Sequence, residues 1–175
     1  QMQTAVDHSA HVERELREAL RLDQFELHVE PQVRGTEGVF GAEVLLRWRH
    51  PERGLVLPGE FIALAEDTGL IVPMGALVLE RACRRLAAWS HDPQLSKVAL
   101  SVNVSTRQLH EHGFVDMVLD LLDTTGADPE KLKLELTEGS LAKNVESVID
   151  KMEALRLRGV RFSLDDFGTG YSSLA

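Results

Sequence analysis

Cysteine is almost absent from this chain of 175 residues: Cys83 stands alone. That excludes an internal disulfide framework and a thiolate zinc cluster. On the apolar stripe of a predicted helix, Cys83 reads as a core filler. Long hydrophobic runs are missing too, since none approaches the ~18 residues that span a bilayer. The opening QMQTAVDHSAHVERE is polar and has no signal-peptide pattern. These features point to a cytoplasmic location with no membrane contact from this chain, a reading that also allows the cytoplasmic part of a membrane-anchored parent. Position 1 is Gln rather than Met, which suggests a piece of a longer protein.

Positive charge is also scarce. The chain holds 19 Lys and Arg against 28 Asp and Glu, a formal net charge of −9. A broad basic face for a nucleic acid polymer is therefore not expected. An anionic ligand would need localised arginines or metal ions. The seven histidines show no HExxH pattern and are all predicted at the surface. The GTG at 168–170 lacks GxGxxG spacing and precedes two serines, so a flexible loop is the default there.

What the chain does contain is regular patterning, without internal repeats or low-complexity segments. Residues 9–22 predict a helix with Val12, Leu16 and Leu20 on one face. FELHVEPQV and FGAEVLLRW predict two strands of a hairpin. A helix is expected from Pro58 to Gly69, and another over 74–89. Strand and helix then alternate: KVALSVNVS, FVDMVLDLLDTTG, KLKLELTE, residues 144–158 and RFSLDD. Val145, Val148, Ile149, Met152 and Leu155 form the predicted apolar face of the last helix, with Gly159 as its cap. This order argues for parallel strands joined by right-handed crossovers.

Side chains alternate between the two faces of a strand. In each of four strands one row is apolar and the other polar, in the same phase. The polar rows carry Glu43, Leu45 and Arg47; Ser101 and Asn103; Lys133, Glu135 and Thr137; Arg161, Ser163 and Asp165. Buried parallel strands normally read as continuous hydrophobic runs, so a polar row marks a candidate site. In a β/α barrel such a row faces the ligand at the C-terminal ends of the strands. Glu43, Asn103, Glu135 and Asp165 would then converge, with Asp166 offering a further ligand. An oxygen-only set suits hard cations such as Mg²⁺, Mn²⁺ or Ca²⁺. Two cations about 3.5–4 Å apart are a device for phosphodiester hydrolysis. An open sheet with one solvated face would show the same alternation, and Asp165–Asp166 would then be a strand end entering a turn.

The segments Glu43-Val44-Leu45-Leu46-Arg47-Trp48, Phe61-Ile62-Ala63-Leu64-Ala65-Glu66, Ser101-Val102-Asn103-Val104-Ser105, Glu135-Leu136-Thr137-Glu138 and Asp165-Asp166-Phe167-Gly168-Thr169-Gly170-Tyr171-Ser172-Ser173-Leu174 resemble the EAL domain, a family that hydrolyses cyclic di-GMP. The resemblance implies an α/β fold, an incomplete TIM-like barrel with an antiparallel strand near its start. It implies a connector helix over residues 1–24 and the N-terminal portion of an EAL domain over 25–175. It implies that Glu43, Asn103, Glu135, Asp165 and Asp166 hold two Mg²⁺ or Mn²⁺ ions. Arg47 would contact phosphate, with Leu45 and Glu30 beside the ligand. Glu138 and the loop with Gly168, Thr169 and Gly170 would support metal binding and dimerisation.

The family's activity is cleavage of cyclic di-GMP to linear pGpG. The expected setting is a homodimer with an upstream GGDEF or sensory domain. Two residues depart from the family pattern: Val44 stands at its usual Ala, and Glu30 at its usual Gln. The family's later Lys and general-base Glu lie beyond Ala175, so this chain alone is expected to be inactive. The alternative is a cyclic di-GMP receptor without catalysis.

Overall fold

The computed structural model describes residues 2–33, 38–137 and 144–165, with side-chain environments from Ser9 to Leu164. The chain opens with helix α1 (Met2–Arg21). Strands β1 (Phe25–Val33) and β2 (Val39–His50) follow, and then the short β3 (Gly54–Val56). Helices α2 (Ile62–Thr68) and α3 (Ile71–Trp89) lead to β4 (Ala99–Val104). The remaining order is α4 (Thr106–His110), α5 (Phe114–Thr125), β5 (Leu132–Thr137), α6 (Val145–Leu157) and β6 (Arg161–Asp165).

The six described strands form one sheet. Its main path runs β1-β2-β4-β5-β6, with β3 also paired to β2. β1 pairs antiparallel with β2, while β2–β4, β4–β5 and β5–β6 are parallel. This is the open arc of a TIM-like α/β barrel with an antiparallel strand at its start, as the patterning predicts. Among the described residues β1 and β6 do not pair with each other.

The apolar row of each inner strand faces the helices. Leu100, Val102, Leu132, Leu134 and Leu136 are fully buried against Val78, Leu79, Ala82, Cys83, Val118, Leu122 and Leu155. Burying a leucine side chain is worth about 1.5–3 kcal/mol relative to leaving it exposed. This row therefore fixes the register, since a slip of one residue would turn every leucine away from the helices. A second cluster ties α1 to the start of the barrel. Val12, Leu16 and Ala19 pack with Phe25, Trp48 and Phe61, and the Trp48 and Phe61 rings meet edge-on at 5.8 Å.

Cys83 is wholly buried, and burial pushes its thiol pKa up to about 11. The core-filler reading of Cys83 agrees with this environment. No single described helix is long and apolar enough to cross a membrane. The bent α2–α3 pair is apolar because its residues line the two cores.

Four expectations need correction. The helix predicted from Pro58 is a one-turn 3₁₀ segment over Pro58–Glu60 that breaks at Phe61. Phe61 leaves helical geometry (φ −136°) to bury its ring at 1% exposure, and α2 starts after it. The short helix α4 was not anticipated, although Ser105 and Gln108 form a reciprocal capping box that the sequence spells out. On α6, Val148 and Leu155 are buried, whereas Val145 and Ile149 are about half exposed. Among the described residues, the apolar stripe is thus wider than the packing that covers it.

The fourth correction concerns His50, which is buried at 6% rather than exposed. Its Nδ1 accepts the backbone N–H groups of Glu52 and Arg53, each at 3.1 Å. The ring proton therefore sits on Nε2 and is donated to Glu15 Oε1 at 3.0 Å. Arg53 binds the other oxygen of the same carboxylate at 3.2 Å. Glu15 thus fastens α1 to the turn between β2 and β3.

Candidate active site

The polar rows of the four strands meet on the face of the sheet turned away from the helices. Register sets their spacing. Glu43 stands opposite Ser101, Asn103 opposite Glu135, Glu135 opposite Ser163, and Thr137 opposite Asp165. Glu135 is therefore flanked directly by Asn103 and Ser163. On the other side of β2, Glu30 of β1 stands opposite Glu43.

Hydrogen bonds organise this row. Asn103 Nδ2 donates to Glu43 Oε1 at 2.9 Å, which fixes the amide's orientation and leaves its Oδ1 as an acceptor. Glu135 is the most withdrawn of the described carboxylates in the row, at 8% exposure. Lys133 Nζ donates to its Oε1 at 2.8 Å, and Ser163 Oγ donates to the same oxygen at 3.2 Å. Arg47 is half-buried and donates to the carbonyl of its own neighbour Leu46 at 2.9 Å. A local backbone contact of this kind is easily exchanged for an anion.

A cavity of about 360 Å³ opens beside the row, lined by Leu45, Ile62, Met74, Asn103, Glu135 and Thr137 among others. Gln108 holds its wall. This side chain, only 3% exposed, caps α4 through Ser105 and packs against Gly75 of α3. A Cβ at position 75 would lie 1.6 Å from Gln108 Nε2, so only glycine permits this approach. The cavity is mostly apolar, with Asn103, Glu135 and Thr137 supplying polar groups from the strands, which suits a ligand with flat rings and charged linkages.

The donor chemistry fits hard divalent cations. Glu43, Glu135 and the Asn103 Oδ1 offer oxygen only; Asn103 and Glu135 stand near the C-terminal ends of β4 and β5, and Glu43 lies in the part of β2 that pairs with β4. Among the described residues no three His, Cys, Asp or Glu side chains gather around a cation position. The remaining expected carboxylates fall elsewhere: Asp165 is placed by its backbone alone, and Asp166 lies outside the described residues. Glu138, Gly168, Thr169 and Gly170 lie outside them as well.

Thus the structure brings Glu43, Asn103 and Glu135 together, sets Leu45 in the cavity wall and puts Glu30 across from Glu43. Sequence reasoning placed Lys133 and Ser163 on the right face but gave neither a role. The signal was the two-residue spacing from Lys133 to Glu135, which on a strand puts an ammonium beside a carboxylate.

The family model of the EAL domain matches residues 13–175. In Pseudomonas aeruginosa, the bifunctional diguanylate cyclase/cyclic di-GMP phosphodiesterase MucR is 43% identical over 161 residues, covering 91% of this chain and 23% of that protein. The cyclic di-GMP phosphodiesterase NbdA of the same organism is 44% identical over 165 residues, covering 94% and 21%. The chain therefore spans less than a quarter of either relative. Among solved structures, the MucR phosphodiesterase in complex with cyclic di-GMP superposes with a TM-score of 0.86 at 41% identity, covering 93% of this chain and 66% of that one. The EAL enzyme Bd1971 bound to cAMP and cyclic di-GMP gives 0.87 at 30% identity, covering 98% and 47%.

Proposed function

This chain belongs to the EAL domain family, and on that premise we propose that the protein carrying it is a metal-dependent phosphodiesterase that opens cyclic di-GMP to linear pGpG. The observation that carries the reading is the Asn103–Glu43 hydrogen bond beside Glu135: three oxygen-bearing side chains from three adjacent strands, at the mouth of a ring-sized cavity. Two relatives named as cyclic di-GMP phosphodiesterases and a related complex with cyclic di-GMP support the substrate.

In this reading Glu43, Asn103, Glu135, Asp165 and Asp166 hold two Mg²⁺ or Mn²⁺ ions. When bound, these ions would offset phosphate charge and acidify the attacking water. Arg47 leaves the Leu46 carbonyl and offers its guanidinium fork to a non-bridging phosphate oxygen. Leu45 and the apolar wall receive a guanine ring and exclude water from it. Attack by water forms a new P–O bond as the P–O3′ bond breaks in line, and the leaving 3′ oxygen takes up a proton. Glu138 and the loop with Gly168, Thr169 and Gly170 support the second metal position.

On the same premise, α1 serves as the connector from an upstream GGDEF or sensory domain, and the enzyme acts as a cytoplasmic homodimer. MucR, named as both cyclase and phosphodiesterase, supports the upstream pairing.

A second reading, a cyclic di-GMP receptor without catalysis, is favoured by one observation: Glu30 stands opposite Glu43 and adds negative charge where an anion would sit. Product analysis separates the two. A protein extended to the length of the solved EAL domains and incubated with cyclic di-GMP and Mn²⁺ yields pGpG in the first reading. Tight binding with unchanged cyclic di-GMP selects the second, and neither binding nor product defeats both.

A further inference from the structure

Glu135 carries a negative charge into a nearly closed position, and a buried carboxylate needs a compensating charge. The structure supplies one from the same strand. Lys133, two residues earlier and on the same face, places its ammonium 2.8 Å from Glu135 Oε1. Its neighbours at that level are Ser101 on β4 and Arg161 on β6, one neutral and one cationic. Glu135 is thus the carboxylate to which the structure pairs it.

We propose that Lys133 is an internal counter-cation that holds Glu135 in the metal-free protein and competes with divalent metal for it, so that it sets the metal affinity of the site. The proposal rests on the metal-binding reading of Glu135 given above.

The physical argument has two parts. A divalent ion drawn to Glu135 meets a fixed positive charge already on that carboxylate, and in a partly desolvated site this repulsion is only weakly screened. Opposing it is the benefit of orientation, since Lys133 and Ser163 together lock Oε1. Ser163 keeps part of that orientation when the ammonium is gone, whereas nothing else removes the repulsion. The charge effect therefore dominates. The lysine stem is flexible, so the ammonium can yield to a metal without disturbing the strand.

Lys133→Gln removes the charge and keeps an N–H donor. The test is titration of metal-free, full-length protein with Mn²⁺, followed by the EPR signal of the free ion, together with melting curves with and without Mn²⁺. Lys133→Gln is expected to bind Mn²⁺ about tenfold more tightly than wild type, and Lys133→Arg within about twofold of it. The metal-free melting temperature of Lys133→Gln should fall while its rise on adding Mn²⁺ grows. A residue with only a structural role would lower both curves equally. Unchanged or weaker Mn²⁺ binding by Lys133→Gln overturns the proposal and leaves the metal reading standing. Absence of Mn²⁺ uptake by every variant, wild type included, overturns both.

A wild-type measurement covers the case in which Lys133→Gln does not fold. The Lys133 ammonium ¹⁵N resonance, assigned by its loss in Lys133→Arg, should shift on adding Mg²⁺ and stay in place with matched Na⁺. An ammonium resonance indifferent to Mg²⁺ overturns the proposal.

Discussion

Asn103 Nδ2 reaches Glu43 Oε1 at 2.9 Å, joining β4 to β2 across 60 residues of chain. Among the candidate ligands Glu43, Asn103, Glu135 and Asp165, the amide is the neutral member. It donates to one carboxylate while standing beside another, Glu135. Replacing it with a third carboxylate would remove a donor and add repulsion. Asn103→Asp should therefore cost the metal-free protein about 1–2 kcal/mol, the range for a lost hydrogen bond beside a like charge. Urea denaturation in EDTA should show this loss, and saturating Mg²⁺ or Mn²⁺ should recover most of it. Equal loss with and without metal would mean that the row does not gather cations.

Glu30 and Glu43 stand opposite each other on antiparallel strands, which puts both carboxyl groups on one face of the sheet. Like charges in this position are destabilising, by roughly 0.2–1 kcal/mol. Glu30→Gln should raise stability by that amount in low salt and by less at high salt. It should also tighten cyclic di-GMP binding, read by calorimetry, because a carboxylate near a phosphate ligand is replaced by a donor. Weaker binding by Glu30→Gln would show that Glu30 contributes to ligand recognition as it stands.

Glu15 links α1 to the barrel and gives the fold an acid-sensitive joint. Partial burial raises its pKa. The His50 hydrogen bond, with the charges of Arg53 and His11, lowers it by more, so the carboxyl titrates below its ordinary value. A carboxylate with a depressed folded-state pKa adds stability that is complete above its unfolded pKa and disappears as pH falls through the folded value. The contribution of Glu15 should thus vanish on acidification below the ordinary carboxylate range. Glu15→Gln should lower stability at neutral pH and flatten the acid limb of the stability profile. An acid limb identical to wild type would sever this link.

Much of this architecture was legible because strands have a period of two. The same alternation that buries Leu100, Leu134 and Leu136 turns Asn103 and Glu135 the other way, so one pattern located both core and site. His50 was illegible for the opposite reason: its partner Glu15 lies 35 residues away on a different element. Phe61 broke a predicted helix because burial among Phe25 and Trp48 outweighs local propensity. Glu43 and Glu135 were found from spacing, but the hydrogen bonds that orient them depend on registers that no single strand encodes.

The Gly75–Gln108 contact is a further case of long-range fit. Gly75→Ala forces the buried Gln108 amide away from Ser105 and loosens the cap of α4 just after Asn103. The expected cost is about 1–3 kcal/mol, typical of overpacking a filled interior. Thermal denaturation should show it. Cyclic di-GMP affinity should fall as well, because the cavity wall moves. A variant as stable as wild type would mean that Gln108 has another place to go.

The central claim is that the polar inner row is a cation-binding platform. Its most direct test is Mn²⁺ titration of metal-free protein carrying Glu43→Gln, Asn103→Ala, Glu135→Gln or Asp165→Asn, each compared with wild type by EPR. Each substitution should weaken Mn²⁺ binding at least about tenfold, as loss of a coordinating group does. Wild-type Mn²⁺ affinity in all four variants would contradict the account.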